Sequence, residues 1–351
     1  MNKHKFNYNW TLKDAVFTKD KGKVFSCFAC GGGSTMGYKL AGFDVIGHND
    51  IDKKMIEVYK ENHKPKFSFH ESITTFAQRK DLPKELYELD ILDGSPPCSS
   101  FSMAGNREKD WGKEKKFREG QELQVLDTLF FDFIDLAKEL QPKVVVAENV
   151  KGLLLGAAKE YVRKIYKAFN EAGYYCQHFL LDASKMGVPQ KRERVFFICL
   201  RKDLAKNFLY CQDMFTELPK IEMEFKETGI PFKEIKEKNA TRKYLISSYL
   251  KHWNNTDHNG NSYETKHGSK FGFYFTVKNN SICKTITSGG TIAIEEEPKL
   301  LTVSELSKIG SFPLDYNYLN TESQYLIGMS VPPVMTAQIA TKIYEQWLSK
   351  L

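Results

Sequence analysis

No stretch of this 351-residue chain is apolar for long enough to cross a bilayer as a helix. Its opening residues, MNKHKFNYNW, are polar and aromatic and lack the apolar core of a secretory signal. There is no internal repeat and no low-complexity tract, which argues against a solenoid or a disordered tail. The seven cysteines are odd in number and show no framework spacing, so a disulfide scaffold is excluded and a reducing, cytosolic compartment fits best. Cys27 and Cys30 form a CxxC with no further ligand at metal spacing nearby, so no metal site is expected. A redox pair before a helix remains open. The preferred reading is a core-facing Cys27 beside a Cys30 that replaces a small turn residue. Neither sign of charge dominates, with 51 Lys and Arg against 44 Asp and Glu. The net charge of +7 is compatible with a polyanionic partner without specifying one.

What is present is an ordinary globular composition, 41% hydrophobic and 27% charged, enough to bury one large core plus a smaller lobe. From Lys23 strands and helices alternate. KVFSCF, FDVIGH, LDILD, KVVVAE, CQHFLL and RVFFICL read as strands. GGGSTMGYKLAGF, DKKMIEVYKENH, GQELQVLDTLFFDFIDLAKEL and Lys159 to Ala172 read as helices. This rhythm predicts an α/β fold: a doubly wound, mostly parallel sheet with helices on both faces. Past Arg201 the periodicity becomes irregular, and residues 202–298 read as a separate lobe. LTVSELSKIGSF predicts a short helix and VPPVMTAQIATKIYEQWLSK a long one, with prolines at its first turn. The expected organisation is a 1–22 extension, a 23–201 α/β domain, the 202–298 lobe and a 299–351 segment that packs back on the α/β domain.

Four stretches at strand ends carry candidate chemistry. GSPPCSSFS follows LDILD: two prolines stiffen the turn and remove amide donors, and Cys98 stands where an open α/β sheet places ligands. FACGGGSTMG follows the first strand and opens a helix, so the backbone can approach a ligand closely. Asp50, at the end of the second strand and about 20 residues on, has the placing of a ribose-binding carboxylate. The spacing is not GxGxxG, which favours a single nucleoside over a dinucleotide; a turn that serves only helix–strand packing is the alternative. AENV ends an apolar strand and puts Glu148 and Asn149 at its edge, where partial desolvation suits a carboxyl to donate a proton, unless Glu148 is merely a cap or surface residue. PQKRERV carries Arg192 and Arg194 at alternate positions entering a strand, so both are expected on one face, either gripping carbonyl or phosphate oxygens or forming a solvated edge.

Taken in order, FACGGG, GSPPCSSFS, AENV, PQKRERV, LTVSELSKIGSFP and GMSVPP resemble the motif series of the DNA (cytosine-5) methyltransferases of bacterial or phage restriction-modification type, over nearly the whole chain from Lys23. The resemblance implies a Rossmann-like S-adenosylmethionine-dependent methyltransferase with a smaller target-recognition lobe. It makes Cys98 the nucleophile that adds to carbon 6 of a flipped-out cytosine. Glu148 would stabilise the activated base at its ring nitrogen. Arg194, with Arg192 beside it, would contact the pyrimidine carbonyl. The chemistry needs these types: carbon 5 is a poor nucleophile until thiolate addition makes it enamine-like, and the base is unreachable inside a duplex.

The resemblance also implies the cofactor contacts, with S-adenosylhomocysteine as product. Phe28, Ala29, Cys30, Gly31, Gly32 and Gly33 would line the cofactor, Asp50 would take its ribose hydroxyls, and Ile51 and Ile73 would pack on its adenine. Ser72, Pro97, Leu129, Ser330 and Val331 would complete the site. Cys30 stands where glycine is usual, Ser72 where an acidic residue often meets the adenine amine, and Met329 where asparagine is usual.

For the lobe, the resemblance implies recognition of a duplex DNA sequence. Residues 236–284 hold nine Lys or Arg against three Asp or Glu, interleaved with asparagines and aromatics. Lys251, Lys266 and Lys270 are candidate phosphate contacts, and Asn254, Asn255 and Asn259 candidate base readers. Ser99 and the basic run KEKKFR (Lys113, Lys115, Lys116 and Arg118) are further candidate DNA contacts, the run on a closing loop. TITSGGTIA resembles the Thr-rich turn that ends this region. Three other readings are weighed. An amino-methyltransferase would carry an aromatic after SPP. A tRNA cytosine-5 methyltransferase would carry a Cys-Phe-Thr stretch. A catalytically silent paralogue would lack Cys98, Glu148 or Arg194. A monomer in a bacterial cytoplasm, on the nucleoid when bound to DNA and without membrane or metal, is expected.

Overall fold

The structure is a computed structural model, and it describes residues 4–97, 114–115, 124–125, 128–156, 158–211, 217–247, 249–250, 253 and 274–351. In chain order β1 (Lys23–Cys27) leads to α1 (Gly33–Leu40), β2 (Asp44–Asp50), α2 (Lys53–His63), β3 (Phe67–His70), α3 (Ile73–Ala77) and β4 (Ile91–Gly94). An antiparallel pair, β5 (Glu114–Lys115) and β6 (Gln124–Val125), precedes α4 (Leu129–Leu140), β7 (Val144–Val150), α5 (Ala158–Glu171), β8 (Tyr174–Asp182), β9 (Gln190–Lys191) and β10 (Glu193–Arg201). Then come β11 (Leu209–Cys211), β12 (Glu217–Pro219), β13 (Tyr274–Val277), β14 (Cys283–Lys284), β15 (Thr291–Ile294), α6 (Val303–Ile309), α7 (Ser323–Met329) and α8 (Pro333–Gln346).

Local chemistry sets these boundaries. Asp52 caps α2 by accepting from the amides of Lys54 and Met55 at 2.9 and 3.4 Å, and Lys64 ends the helix at φ 45°. α4 buries Leu129, Phe130, Phe133, Ile134 and Leu140 on one side and stops at Gln141, φ 49°, before Pro142. The helix expected from Gly120 therefore starts only at Leu129. Leu123 and Leu126 have helical spacing, but Gln124 and Val125 bond across to Lys115 and Glu114 in a ladder instead. β3 and α3 are not signalled by the sequence, because four or five residues are too few to show a period.

The main sheet has the order β3-β2-β1-β4-β7-β10-β8. β3, β2, β1, β4 and β7 pair in parallel, and β10 runs antiparallel to β7. One face packs on α3, α4 and α5 through a core that includes Phe25, Phe76, Phe130, Phe133, Phe169 and Phe197, with the Phe25 and Phe76 rings stacked at 5.6 Å.

The described chain divides into two compact units. One comprises Val16–Leu181, Glu193–Glu224 and Ile339–Leu351 and holds nearly all of the sheet; the other comprises Met1–Ala15, Asp182–Arg192 and Phe225–Gln338. Compactness thus draws its lines elsewhere than residues 22, 201 and 298. In the sheet unit the end of α8 sets Tyr344 edge-on to Phe43 at 6.1 Å, and the Trp347 indole donates to the Lys220 carbonyl at 2.8 Å. In the other unit, strand pairs β13–β15 and β9–β14 and helices α6 and α7 dominate. Among the described residues no helix is long and apolar enough to cross a membrane.

Candidate active site

Register across the sheet brings four strand ends level. Asn49 stands opposite Cys27, Cys27 opposite Gly94, and Gly94 opposite Ala147. Each of these parallel strands therefore delivers its next residues to the same edge: the turn at Phe28, Asp50, the turn at Ser95 and Glu148. β10, running the other way, brings Arg194 opposite Val150 at that edge.

The turn after β1 is built from alternating backbone handedness. Phe28, Cys30 and Gly32 have φ of 52, 47 and 81°, and the turn they form donates its Ala29, Cys30 and Gly32 amides to the Asn49 carbonyl, the Asp50 carboxylate and the Ala29 carbonyl. At Gly32 the positive φ is one requirement for glycine. The other is space, since a Cβ there would lie 2.3 Å from His63 Nε2. That imidazole bonds the Gly31 carbonyl at 3.2 Å, and burial pushes its pKa down to about 3, so it is neutral. Asp50 accepts from the Cys30 amide at 2.7 Å and from the Asp52 amide at 2.8 Å. Burial raises its pKa to about 6 against the pull of those amides. With the Ile51 amide also acting on it, the carboxylate retains acceptor capacity for a hydroxyl donor. A tight glycine turn beside a carboxylate with spare acceptor capacity fits a nucleoside ligand.

The remaining expected cofactor residues are placed as follows. Ile51 is half-buried and its carbonyl meets the His70 ring at 3.1 Å; Ile73 and Leu129 are buried in one cluster. Ser72 is spoken for as the cap of α3: its hydroxyl takes the Thr75 amide at 3.1 Å and pairs with the Thr75 hydroxyl at 3.0 Å. Ala29 is buried and Pro97 half-buried. Cys27 faces the core, where burial pushes its thiol well up, and among the described residues no group of His, Cys, Asp or Glu is placed to hold a metal.

At the other side of the same edge Arg194 Nε meets Glu148 Oε1 at 2.9 Å, both side chains mostly buried. Burial draws the Arg194 pKa down, and the carboxylate pulls it back. Two bonds tie the turn after β4 to its neighbours. Ser95 Oγ donates to the Phe28 carbonyl at 3.3 Å, and Asn149 Nδ2 donates to the Pro96 carbonyl at 3.2 Å. Cys98 and Ser99 lie outside the described residues, as do Lys113, Lys116, Arg118, Lys251, Asn254, Asn255, Asn259, Lys266 and Lys270; Lys115 lies on β5.

Arg192 corrects the expectation of a shared strand face with Arg194. It lies between β9 and β10, on neither, so alternation does not apply to it. Its buried guanidinium donates to the Ile286 carbonyl at 3.0 Å and to the Gly328 carbonyl at 2.9 Å. It thus staples the Thr-rich turn to the end of α7. Gly328 permits that approach, since a Cβ there would fall 2.3 Å from the Thr287 carbonyl carbon and 2.4 Å from the Ser288 nitrogen. Ser330 and Val331, just past α7, are buried, and Ser330 Oγ donates back to the Leu326 carbonyl at 2.8 Å.

Asp93 was not singled out by sequence reasoning. It is buried near the end of β4 and accepts from Ser26 Oγ at 2.8 Å, Ser34 Oγ at 2.7 Å and Tyr38 Oη at 3.1 Å. The available signal was an ionisable residue inside an otherwise apolar buried strand.

The family model of C-5 cytosine-specific DNA methylases matches residues 22–345. The type II methyltransferase M.FnuDI of Fusobacterium nucleatum is 35% identical over 245 residues, 65% of this chain and 64% of that one. M.NgoPII of Neisseria gonorrhoeae is 34% identical over 192 residues, 54% and 50%. The chain therefore spans between half and two thirds of the length of these relatives. A triple mutant of Spodoptera frugiperda DNMT2 has a TM-score of 0.61 at 20% identity, covering 92% of this chain and 99% of that one, a likeness of fold. The match runs from just before β1 into α8, through every strand end at the candidate site, and the chain belongs to the C-5 cytosine-specific DNA methylase family.

Proposed function

We propose that this chain transfers a methyl group from S-adenosylmethionine to carbon 5 of a cytosine flipped out of a specific duplex DNA sequence, through a covalent Cys98 adduct. The observation that carries the reading is the row of strand ends. The Pro96–Pro97 turn leaves β4 between the turn at Phe28 and Glu148, with Arg194 beside Glu148. S-adenosylmethionine, when bound, supplies the methyl group from a sulfonium. The turn from Phe28 to Gly33 and Asp50 would hold it, with Ile51, Ile73, Pro97 and Leu129, and Ser330 and Val331 completing the contacts. The Cys98 thiolate adds to carbon 6 while Glu148 gives a proton to the ring nitrogen, so the ring becomes a neutral enamine that is nucleophilic at carbon 5. Arg194 orients Glu148 and meets the pyrimidine carbonyl. Once carbon 5 is methylated, loss of its proton and expulsion of the thiolate restore the ring. Ser99 and the basic residues at 113–118 would contact DNA near the base. The 202–298 lobe would read the sequence with Lys251, Lys266, Lys270 and its asparagines. On this reading the enzyme works as a monomer in the cytoplasm, on the nucleoid while DNA is bound.

DNA carrying 5-fluorocytosine tests it. Wild-type protein with S-adenosylmethionine should form a covalent complex, because fluorine cannot leave as a proton does; Cys98→Ala should form none yet still bind the cofactor. A complex formed by the alanine variant overturns the adduct. Trapping on fluorinated tRNA but not on DNA overturns the substrate.

A further inference from the structure

Asp93 is 6% exposed, and its carboxylate is held by the hydroxyls of Ser26 on β1 and of Ser34 and Tyr38 on α1. Among the described residues, the titratable groups that act on it or feel it are Cys27 on β1, Tyr38 on α1, Tyr59 on α2 and Glu148 on β7, none of them a cation. Burying a carboxylate with only neutral donors is costly, and burial lifts its pKa to about 6. An asparagine could hold the same hydroxyls without that cost, so the hydroxyls alone do not account for the charge.

The position does account for it. Asp93 precedes by two residues the Ser95 hydroxyl that bonds the Phe28 carbonyl, so it lies where the nucleophile turn and the cofactor turn are tied. Methyl transfer to a base held by the nucleophile turn requires the sulfonium at this edge. The donor carries a positive charge at sulfur; the product is an uncharged thioether, and the two share ribose, adenine and amino-acid groups. We propose that Asp93 is a specificity-determining residue whose negative charge favours the sulfonium donor over its thioether product. The inference rests on the proposed function.

Titration calorimetry on the full chain with S-adenosylmethionine and S-adenosylhomocysteine tests it. Asp93→Asn should weaken donor binding about tenfold or more, as an unscreened charge in a partly dry site allows, and product binding by less than about twofold. Ser34→Ala, which removes one hydroxyl and leaves the charge, should keep the ratio of the two affinities. Wild-type protein near pH 6 offers a readout that needs no variant. Donor binding should release more protons than product binding, measured in buffers of differing ionisation enthalpy, because a cation draws Asp93 to its charged form. Asp50 faces a ribose common to both ligands and adds equally to each. Equal weakening of both ligands by Asp93→Asn, a selective loss in Ser34→Ala, or equal proton release overturns the inference. If neither ligand binds the wild-type chain, the proposed function fails and this inference with it.

Discussion

Asp50 spends one oxygen on the Cys30 amide and the other on the Asp52 amide, which aims the carboxylate and shapes the turn at once. Asp50→Ala should weaken cofactor and product alike by about 1.5–3 kcal/mol, the range of a charged hydrogen bond, and leave DNA binding unchanged. An unaltered dissociation constant by calorimetry would pass the ribose to Asp52 or another residue. Asp50 accepts hydroxyls more strongly when ionised, and its pKa is near 6, so cofactor affinity should fall as pH drops through about 6. Stability runs in the opposite direction. Asp50 and Asp93 both have folded pKa values, about 6, above that of an unfolded aspartate. Their burial is fully tolerated below about pH 4 and costs stability as pH rises through about 6. Asp93→Asn removes its share, so relative to wild type it should gain up to about 3 kcal/mol between pH 4 and 7 by urea unfolding. A flat difference curve would mean that the carboxylate is better solvated than its contacts imply. Glu148→Gln should cut turnover by about 10²–10⁴ while cofactor binding persists; undiminished turnover would remove Glu148 from proton transfer.

Elements are held to one another by a few close approaches whose cost depends on what must yield. A Cβ on Gly328 would strike the Thr287–Ser288 backbone, whereas one on Gly289 meets nothing within 4 Å. Gly328→Ala should therefore cost about 1–3 kcal/mol in equilibrium unfolding, and Gly289→Ala less than about 0.5 kcal/mol. Arg192 closes the same contact from the other side with its two carbonyl bonds. Arg192→Met should lower stability by about 1–3 kcal/mol for each carbonyl left unpaired, and its turnover per folded molecule should stay near wild type. A folded, stable Arg192→Met that is slow would restore Arg192 to the chemistry.

Across the whole molecule, the strand-end row lies within one compact unit, while 225–338 belongs to the other. Sequence reading and chemistry should therefore be separable by mutation. Neutralising Lys251, Lys266 or Lys270 should weaken binding to all DNA and flatten its salt dependence, since each phosphate contact releases counterions. Among Asn254, Asn255 and Asn259, at least one substitution should shift the methylated sequence, at about 1–3 kcal/mol per lost bidentate contact. Methylome mapping separates the two classes. Identical sites and relative rates in every variant would move recognition to the segment after Cys98.

The alternation of apolar strands with amphipathic helices, the glycine turn after β1, Asp50 and the strand-end place of Glu148 were all legible in the chain, because each depends on residues near in sequence: period, capping and turn chemistry. Other features depend on partners far along the chain. Gln124 and Val125 follow a helical pattern yet pair with Glu114 and Lys115. Arg192 looks like the twin of Arg194, but its guanidinium goes to carbonyls more than ninety residues away. Asp93 reads as one more residue of a short strand; only parallel pairing of β1 with β4 sets it among Ser26, Ser34 and Tyr38. Local pattern chose the elements and the edge where chemistry collects. Tertiary packing chose which polar groups at that edge are spent on the protein itself and which keep capacity for a ligand, because a buried donor or acceptor must be satisfied by whatever the fold brings within reach.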